Sequence, residues 1–147
     1  MNTDKLLHIE YKDTIPFIPK IQFGKVIKVY DGDTITVATY FPNDETIYRF
    51  SVRLKGLDCP EMRTKNEDEK KCAIMARDFV KTKILNKIVE LRDVELEKYG
   101  RILANVYCED CCINDELCEN RLAVQYYGGT KQCPTNWLDY YNHSSSV

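Results

Sequence analysis

The chain has 147 residues, enough for one domain with a buried core, and its 44% hydrophobic and 30% charged residues with 6 Gly and 5 Pro exclude disordered, collagen-like and membrane-embedded classes. The formal net charge of −2 argues, at first, against a nucleic-acid partner. Residues 1–20 are mixed and carry Pro16 and Pro19, so they read as an irregular arm. Lys25 to Val29 and Thr34 to Val37 are rich in β-branched residues and separated by Asp31-Gly32, a tight hairpin signal. Ile47 to Lys55 alternates, with Tyr48, Phe50, Val52 and Leu54 on one face and Arg49, Ser51, Arg53 and Lys55 on the other, so a third strand presents a basic row.

After Cys59-Pro60 the period changes. Asn66 followed by Glu69 resembles a capping box, and Ala73, Ala76, Phe79, Val80 and Ile84 mark the apolar stripe of a helix from about Glu67 to Leu85. Ile88 to Glu97 returns to strand, with a phase slip that suggests a bulge near Arg92-Asp93. Arg101 to Tyr107 is a fifth strand after the Tyr99-Gly100 turn, and Asn114 is placed to cap a short second helix. The expectation is an α+β, mainly β domain: a five-stranded OB-fold barrel with a helix between strands 3 and 4 and a short helix after strand 5. A small α+β domain of another topology fits the same pattern nearly as well. The arm spans 1–20, the barrel domain 21–130 and a short tail 131–147.

Several chemistries lack their residues. The two histidines, His8 and His143, lie near the ends, and serine occurs only at Ser51, Ser144, Ser145 and Ser146 with no nucleophile elbow. Phosphate-cradling glycine motifs are also missing. Carboxylates, arginines, cysteines or a metal must therefore carry any reaction. No apolar leader is evident, so an intracellular protein with no membrane association is expected, although a chain trimmed of a leader would read the same. The cysteines Cys108, Cys111, Cys112, Cys118 and Cys133 are expected as free thiols, because a closed zinc site needs two well-spaced pairs.

Three motifs could carry chemistry. Asp31-Gly32-Asp33-Thr34 alone is ordinary turn chemistry. Leu57-Asp58-Cys59-Pro60-Glu61 adds two acids after the basic strand, and Asp33, Asp58 and the Cys59 carbonyl could together hold a hard divalent cation. Arg53 and Arg101 could neutralise a phosphate two oxygens at a time, although a lone arginine at a strand end is usually just ion-paired.

In order and with compatible spacing, these segments, with Val52 to Glu61 and Lys98 to Ala104, resemble the staphylococcal nuclease (thermonuclease) family from about Phe23 to Tyr127. The resemblance implies an OB barrel and a calcium-dependent endonuclease cleaving DNA and RNA, single strands preferred, to leave 3′-phosphate ends. It implies calcium ligands at Asp33, Asp58 and the Cys59 backbone carbonyl, where the best-known member has threonine, with Asp31 behind them. Glu61 would activate or position water, Arg53 and Arg101 would bind the reacting phosphate, Lys98 and Tyr99 a terminal phosphate, and Tyr127 or Tyr126 the base. Arg121 stands where that member has glycine, so a different helix exit is expected there. The partner is nucleic acid and a monomer is expected. The competing expectation is a non-catalytic OB module that binds nucleic acid or protein.

The charge is unevenly spread. Residues 21–107 hold 16 basic and 14 acidic residues, whereas residues 108–147 hold 2 and 6, so the overall sign does not exclude a basic face.

Overall fold

The structure, a computed structural model, describes residues 1–129 and 132–143. Thr130, Lys131 and the tail from Ser144 on, including the expected boundary at 130 and the tail serines, lie outside the described residues. Residues 1–18 are exposed throughout and hold only two short 3-10 turns, Asp4–Leu6 and Tyr11–Asp13.

Strands β1 (Phe23–Asp31), β2 (Thr34–Thr39) and β3 (Tyr48–Leu54) form an antiparallel meander, followed by the two-residue β4 (Leu57–Asp58) and helix α1 (Glu67–Ile84). Strand β5 (Ile88–Leu96) then pairs antiparallel with both β1 and β6 (Ile102–Cys108). The barrel closes where β6 runs parallel to β3, with Val52 opposite Ile102 and Leu54 opposite Ala104. The remaining pieces are β7 (Cys111–Cys112), α2 (Ile113–Glu119), β8 (Val124–Gln125) and α3 (Trp137–Asn142). The five long strands thus make a closed mixed barrel with helices, the expected OB-type arrangement.

Alternation fills the interior. Val26, Val29, Ile35, Val37, Val52, Leu54, Val89, Leu91, Ala104 and Val106 point inward, and Ala76, Val80 and Ile84 of α1 cover one end. The bulge falls as expected, with β5–β6 pairing slipping between Arg92 and Glu95 and Asp93 at φ 54°.

The hairpin at Asp31-Gly32 forms as expected, and two other local expectations are corrected. The β1–β2 loop does need its glycine, but for space, since Gly32 is not in the left-handed region and a Cβ there would stand 2.8 Å from both Ala76 Cβ and Cys59 Sγ. The capping box at Asn66 is half made. The Asn66 Oδ1 accepts from Glu69 N at 3.0 Å, but Asn66 N donates to Thr64 Oγ1 and the Glu69 carboxylate turns elsewhere. Asn114 is no cap. It sits buried in the first turn of α2, accepts from Val106 N at 3.0 Å and donates to Lys55 O at 2.9 Å and Ala104 O at 3.3 Å, bridging the β3–β6 seam.

The exit of α2 is closed around Arg121 itself. Leu122 N donates to Leu117 O and Arg121 N to Cys118 O, a Schellman closure with Arg121 at φ 55°. An arginine in that conformation costs roughly 1 kcal/mol or more. It gains contacts a glycine lacks: its guanidinium stacks 4.0 Å from the Tyr140 ring centroid and its Nε donates to Tyr140 O at 2.6 Å. Helix α3 in the tail buries Trp137.

Candidate active site

Strand register, more than sequence proximity, assembles the site. Asp31 ends β1, Asp33 lies in the loop, and Thr34 opens β2 opposite Arg53 of β3. Leu54 N donates to Asp33 O at 2.8 Å and fixes the loop onto β3. The parallel seam sets Arg53 beside Leu103, so Arg101, just before β6, comes to the same end of the barrel. The result is a cleft of about 300 Å³ lined by Asp31, Asp33, Arg53, Asp58, Glu61 and Arg101 with Tyr30 and Thr34.

Arg53 is the hub of this cleft. Its Nη2 donates to Asp58 Oδ1 at 2.6 Å and lies 3.8 Å from Asp33 Oδ2, so both carboxylates converge on one cation. Asp33 Oδ2 also accepts a long 3.4 Å bond from Cys59 N, and Asp33 N donates to Asp31 Oδ1 at 3.2 Å. Burial, with the neighbouring Asp33 carboxylate, pushes the Asp31 carboxyl up to about 7. Burial, helped by the charges of Asp33 and Asp31, pushes the Cys59 thiol well up, so it stays neutral and is no nucleophile.

Arg101 donates through Nε and Nη2 to the Glu97 carboxylate, four residues back across the turn, with Nη2 at 3.2 Å from Oε2. Glu97 thereby holds the Arg101 charge and its orientation. The Glu61 backbone is held by the helix: its N–H donates to Glu69 Oε2 at 2.9 Å. Neither Glu69 nor Glu97 was legible as part of the site. The spacing of Glu97 and Arg101 around Tyr99-Gly100 was a usable signal, but nothing in the sequence ties Glu69 to Glu61.

A second cleft of about 580 Å³ shares Arg53 and Arg101 with the first and is lined by Lys98, Tyr99, Tyr126 and Tyr127. The β4–β8 pair and the bond from Tyr126 N to Gly56 O, 2.9 Å, bring the two tyrosines to β3. Gly56, at φ 79°, leaves room for the Tyr127 ring, which a Cβ would meet at 2.8 Å. Tyr127 and Tyr99 are each 81% exposed, whereas Tyr126 is half-buried with its hydroxyl donating to Gly129 O. The other sequence-identified site residues therefore line two adjoining clefts at one end of the barrel, whereas Cys59 lines neither and meets the first through its N–H to Asp33.

The donors facing the first cleft are hard oxygens, suited by chemistry to a divalent cation such as calcium. Their spacing is not a ready cage, since Arg53 stands between Asp33 and Asp58, and among the described residues no group of three or more His, Cys, Asp or Glu is arranged to hold a metal.

A family model described as "Staphylococcal nuclease homologue" matches residues 51–143. The chain belongs to the staphylococcal nuclease family. That match covers Arg53, Asp58, Glu61, Arg101 and the tyrosine cleft, and stops short of Asp31 and Asp33. The chain is also similar to a thermonuclease of Staphylococcus hyicus, 35% identical over 104 residues that make up 69% of this chain and 58% of that protein. A Schizosaccharomyces pombe protein named as a probable endonuclease is 28% identical over 145 residues, 79% of this chain and 61% of the relative. An uncharacterized endonuclease of Escherichia coli is 32% identical over 87 residues, 59% of this chain and 49% of the relative. The chain thus spans about half to three fifths of the length of the curated relatives it matches. Among the described residues no helix is long and apolar enough to cross a membrane.

Proposed function

We propose that this chain is a calcium-dependent endonuclease that hydrolyses phosphodiester bonds of DNA and RNA, single strands preferred, and leaves 3′-phosphate ends. The observation that carries this reading is the convergence of Glu61, Arg53 and Arg101 with three aspartates in one cleft, beside a second cleft lined by exposed tyrosines. Asp33, Asp58 and the Cys59 carbonyl would hold calcium, with Asp31 behind them, and the bound ion would supply a positive charge that polarises the phosphate.

The chain's own residues supply the rest. Glu61, on a loop tied to α1, orients a water for in-line attack and accepts its proton. Arg53, whose guanidinium already lies between carboxylates, turns its fork to non-bridging phosphate oxygens. Arg101 meets the charge that builds as the bond to the 5′ oxygen breaks, while Glu97 keeps its plane fixed. Lys98 and Tyr99 receive a neighbouring phosphate, and the exposed ring of Tyr127, with Tyr126 beside it, offers a surface on which a base stacks. Histidine is not required.

The competing function is a binding module without catalysis, and the ion pairs that occupy both arginines are the observation in its favour. Digestion of single-stranded DNA and RNA with calcium, then with EGTA, separates the two. Cleavage lost in EGTA and in both Glu61→Gln and Arg101→Ala is expected. Cleavage that persists without divalent metal, or in either variant, rejects the mechanism, and intact substrate bound by the wild type supports the binding module.

A further inference from the structure

The polar face of β3 reaches beyond the cleft, and its register makes a surface that the proposed chemistry does not use. Arg53 sits opposite Thr34. One step along the strand, Ser51 faces Thr36, which faces Lys28 of β1, and a further step on, Arg49 faces Ala38, which faces Lys25. The irregularity between Val26 and Lys28 turns both Ile27 and Lys28 outward, so Lys25 and Lys28, three apart, reach the same side. Each step of two residues advances about 6.8 Å, close to the spacing of successive phosphates in an extended single strand.

Shape and charge agree with that spacing. Ile27, Lys28, Thr36, Arg49 and Ser51 line a depression of about 550 Å³. Lys25, Lys28 and Arg49 are exposed, and none enters an ion pair among the described residues. Glu90, the carboxylate on the neighbouring strand, is forked by Arg92. Tyr30 joins the two regions: it lines the cleft, is 56% exposed, and has Lys28 Nζ 5.8 Å from its ring centroid. Cationic and hydroxyl groups repeating along a concave strip, with an aromatic ring and Ile27 for base contact, are what a sequence-tolerant single-strand groove needs.

We propose that the outer face of β1, β2 and β3 is a binding strip for single-stranded nucleic acid, which carries the strand away from the cleft on the side opposite Tyr99 and Tyr127. The proposal rests on the nuclease reading for its direction, but binding tests it without cleavage. The probe is a labelled oligothymidylate of about 12 nucleotides, within the span of one OB fold, titrated by anisotropy in EGTA over a range of salt. Each phosphate contact contributes about 0.7 to the slope of log affinity against log salt. The double variant Lys28→Ala/Arg49→Ala should lower that slope by about 1.4 and weaken binding about 25-fold at about 0.1 M salt, with the difference fading towards 1 M. Lys28→Arg/Arg49→Lys should retain the wild-type slope, as should Lys70→Ala/Lys71→Ala on α1, and cleavage of a dinucleotide in calcium should be unchanged by Lys28→Ala/Arg49→Ala.

Wild-type affinity and slope in Lys28→Ala/Arg49→Ala would overturn the strip, as would an equal loss in the α1 pair or no binding by the wild type. Should the wild type bind with this contrast yet leave both oligothymidylate and dinucleotide uncut in calcium, the strip stands and the nuclease reading falls.

Discussion

Asn114→Ala removes the side chain that ties the barrel's seam to α2. Its amide accepts from Val106 N–H, donates to Lys55 O and Ala104 O, and meets Asn105 Oδ1 at 3.3 Å. Ala104 O keeps a second donor, Lys55 N at 2.9 Å, and Lys55 lines a neighbouring cavity through which water can reach its carbonyl. Val106 is fully buried, so its N–H is the group left without a partner. An orphaned buried donor costs about 1–3 kcal/mol and the lost donor bonds add roughly 1 kcal/mol, giving a total of about 2–4 kcal/mol. At about 3 °C per kcal/mol for a domain of this size, the melting temperature falls by about 6–12 °C. Urea denaturation with an unchanged m-value is the assay, with exposed Asn120→Ala as a control expected within about 0.5 kcal/mol. Asn114→Asp discriminates further: an aspartate caps a helix as well as asparagine does, but here it would set an anion against two carbonyls. A loss below about 1 kcal/mol for alanine, or tolerance of aspartate, would refute the seam role.

Gly32→Ala should destabilise by about 1–3 kcal/mol in the same assay, since its Cβ would overlap Ala76 and Cys59, and the displaced loop should lower cleavage through Asp33. Glu69→Ala leaves the Asn66 cap bond to the Glu69 backbone intact but frees the Glu61 N–H, so kcat should fall about tenfold with KM little changed. Asp31, whose folded-state value is raised to about 7 from 3.8, keeps a proton that the unfolded chain has released. In chelator, stability should therefore fall as pH rises from about 4 to about 7 and level off above, and Asp31→Asn should remove that share of the fall in pH-dependent melts.

The barrel was legible because its strands are strictly patterned. Tyr48 to Leu54 alternates, and Val89/Leu91 against Val94/Leu96 betrays the bulge, so local periodicity reported the pairing. The arginines and carboxylates were legible through motif order, which carries the family's constraints on position. What stayed hidden were polar side chains whose partners lie far away in sequence. Asn114 sits where a cap residue belongs and its true partners, Lys55 and Ala104, are named only by the seam. Glu69 has the spacing of a capping box, yet its carboxylate bonds to Glu61, eight residues back, because Thr64 already takes the Asn66 N–H. In both cases local propensity marks the right residue and tertiary contact decides its use.

The seam also explains why fold and chemistry are hard to separate here. Arg53 lies within β3, and Arg101 precedes β6 by one residue, so they meet only because Val52 pairs with Ile102 in parallel. A slip of one residue at that pairing would turn Arg53 or its neighbour to the wrong face of the barrel. Of the β6 bonds, those to β5 hold an antiparallel ladder of five pairs, whereas β3–β6 has three, with Asn114 spanning the end where it stops. A junction of only three pairs therefore sets the distance between the two arginines of the cleft. A seam lesion should lower phosphate affinity under conditions in which most molecules remain folded, and the loss should exceed what the unfolded fraction accounts for. If instead binding falls only in proportion to unfolding, the arginine spacing is held by Glu97 and Asp58 and not by the seam.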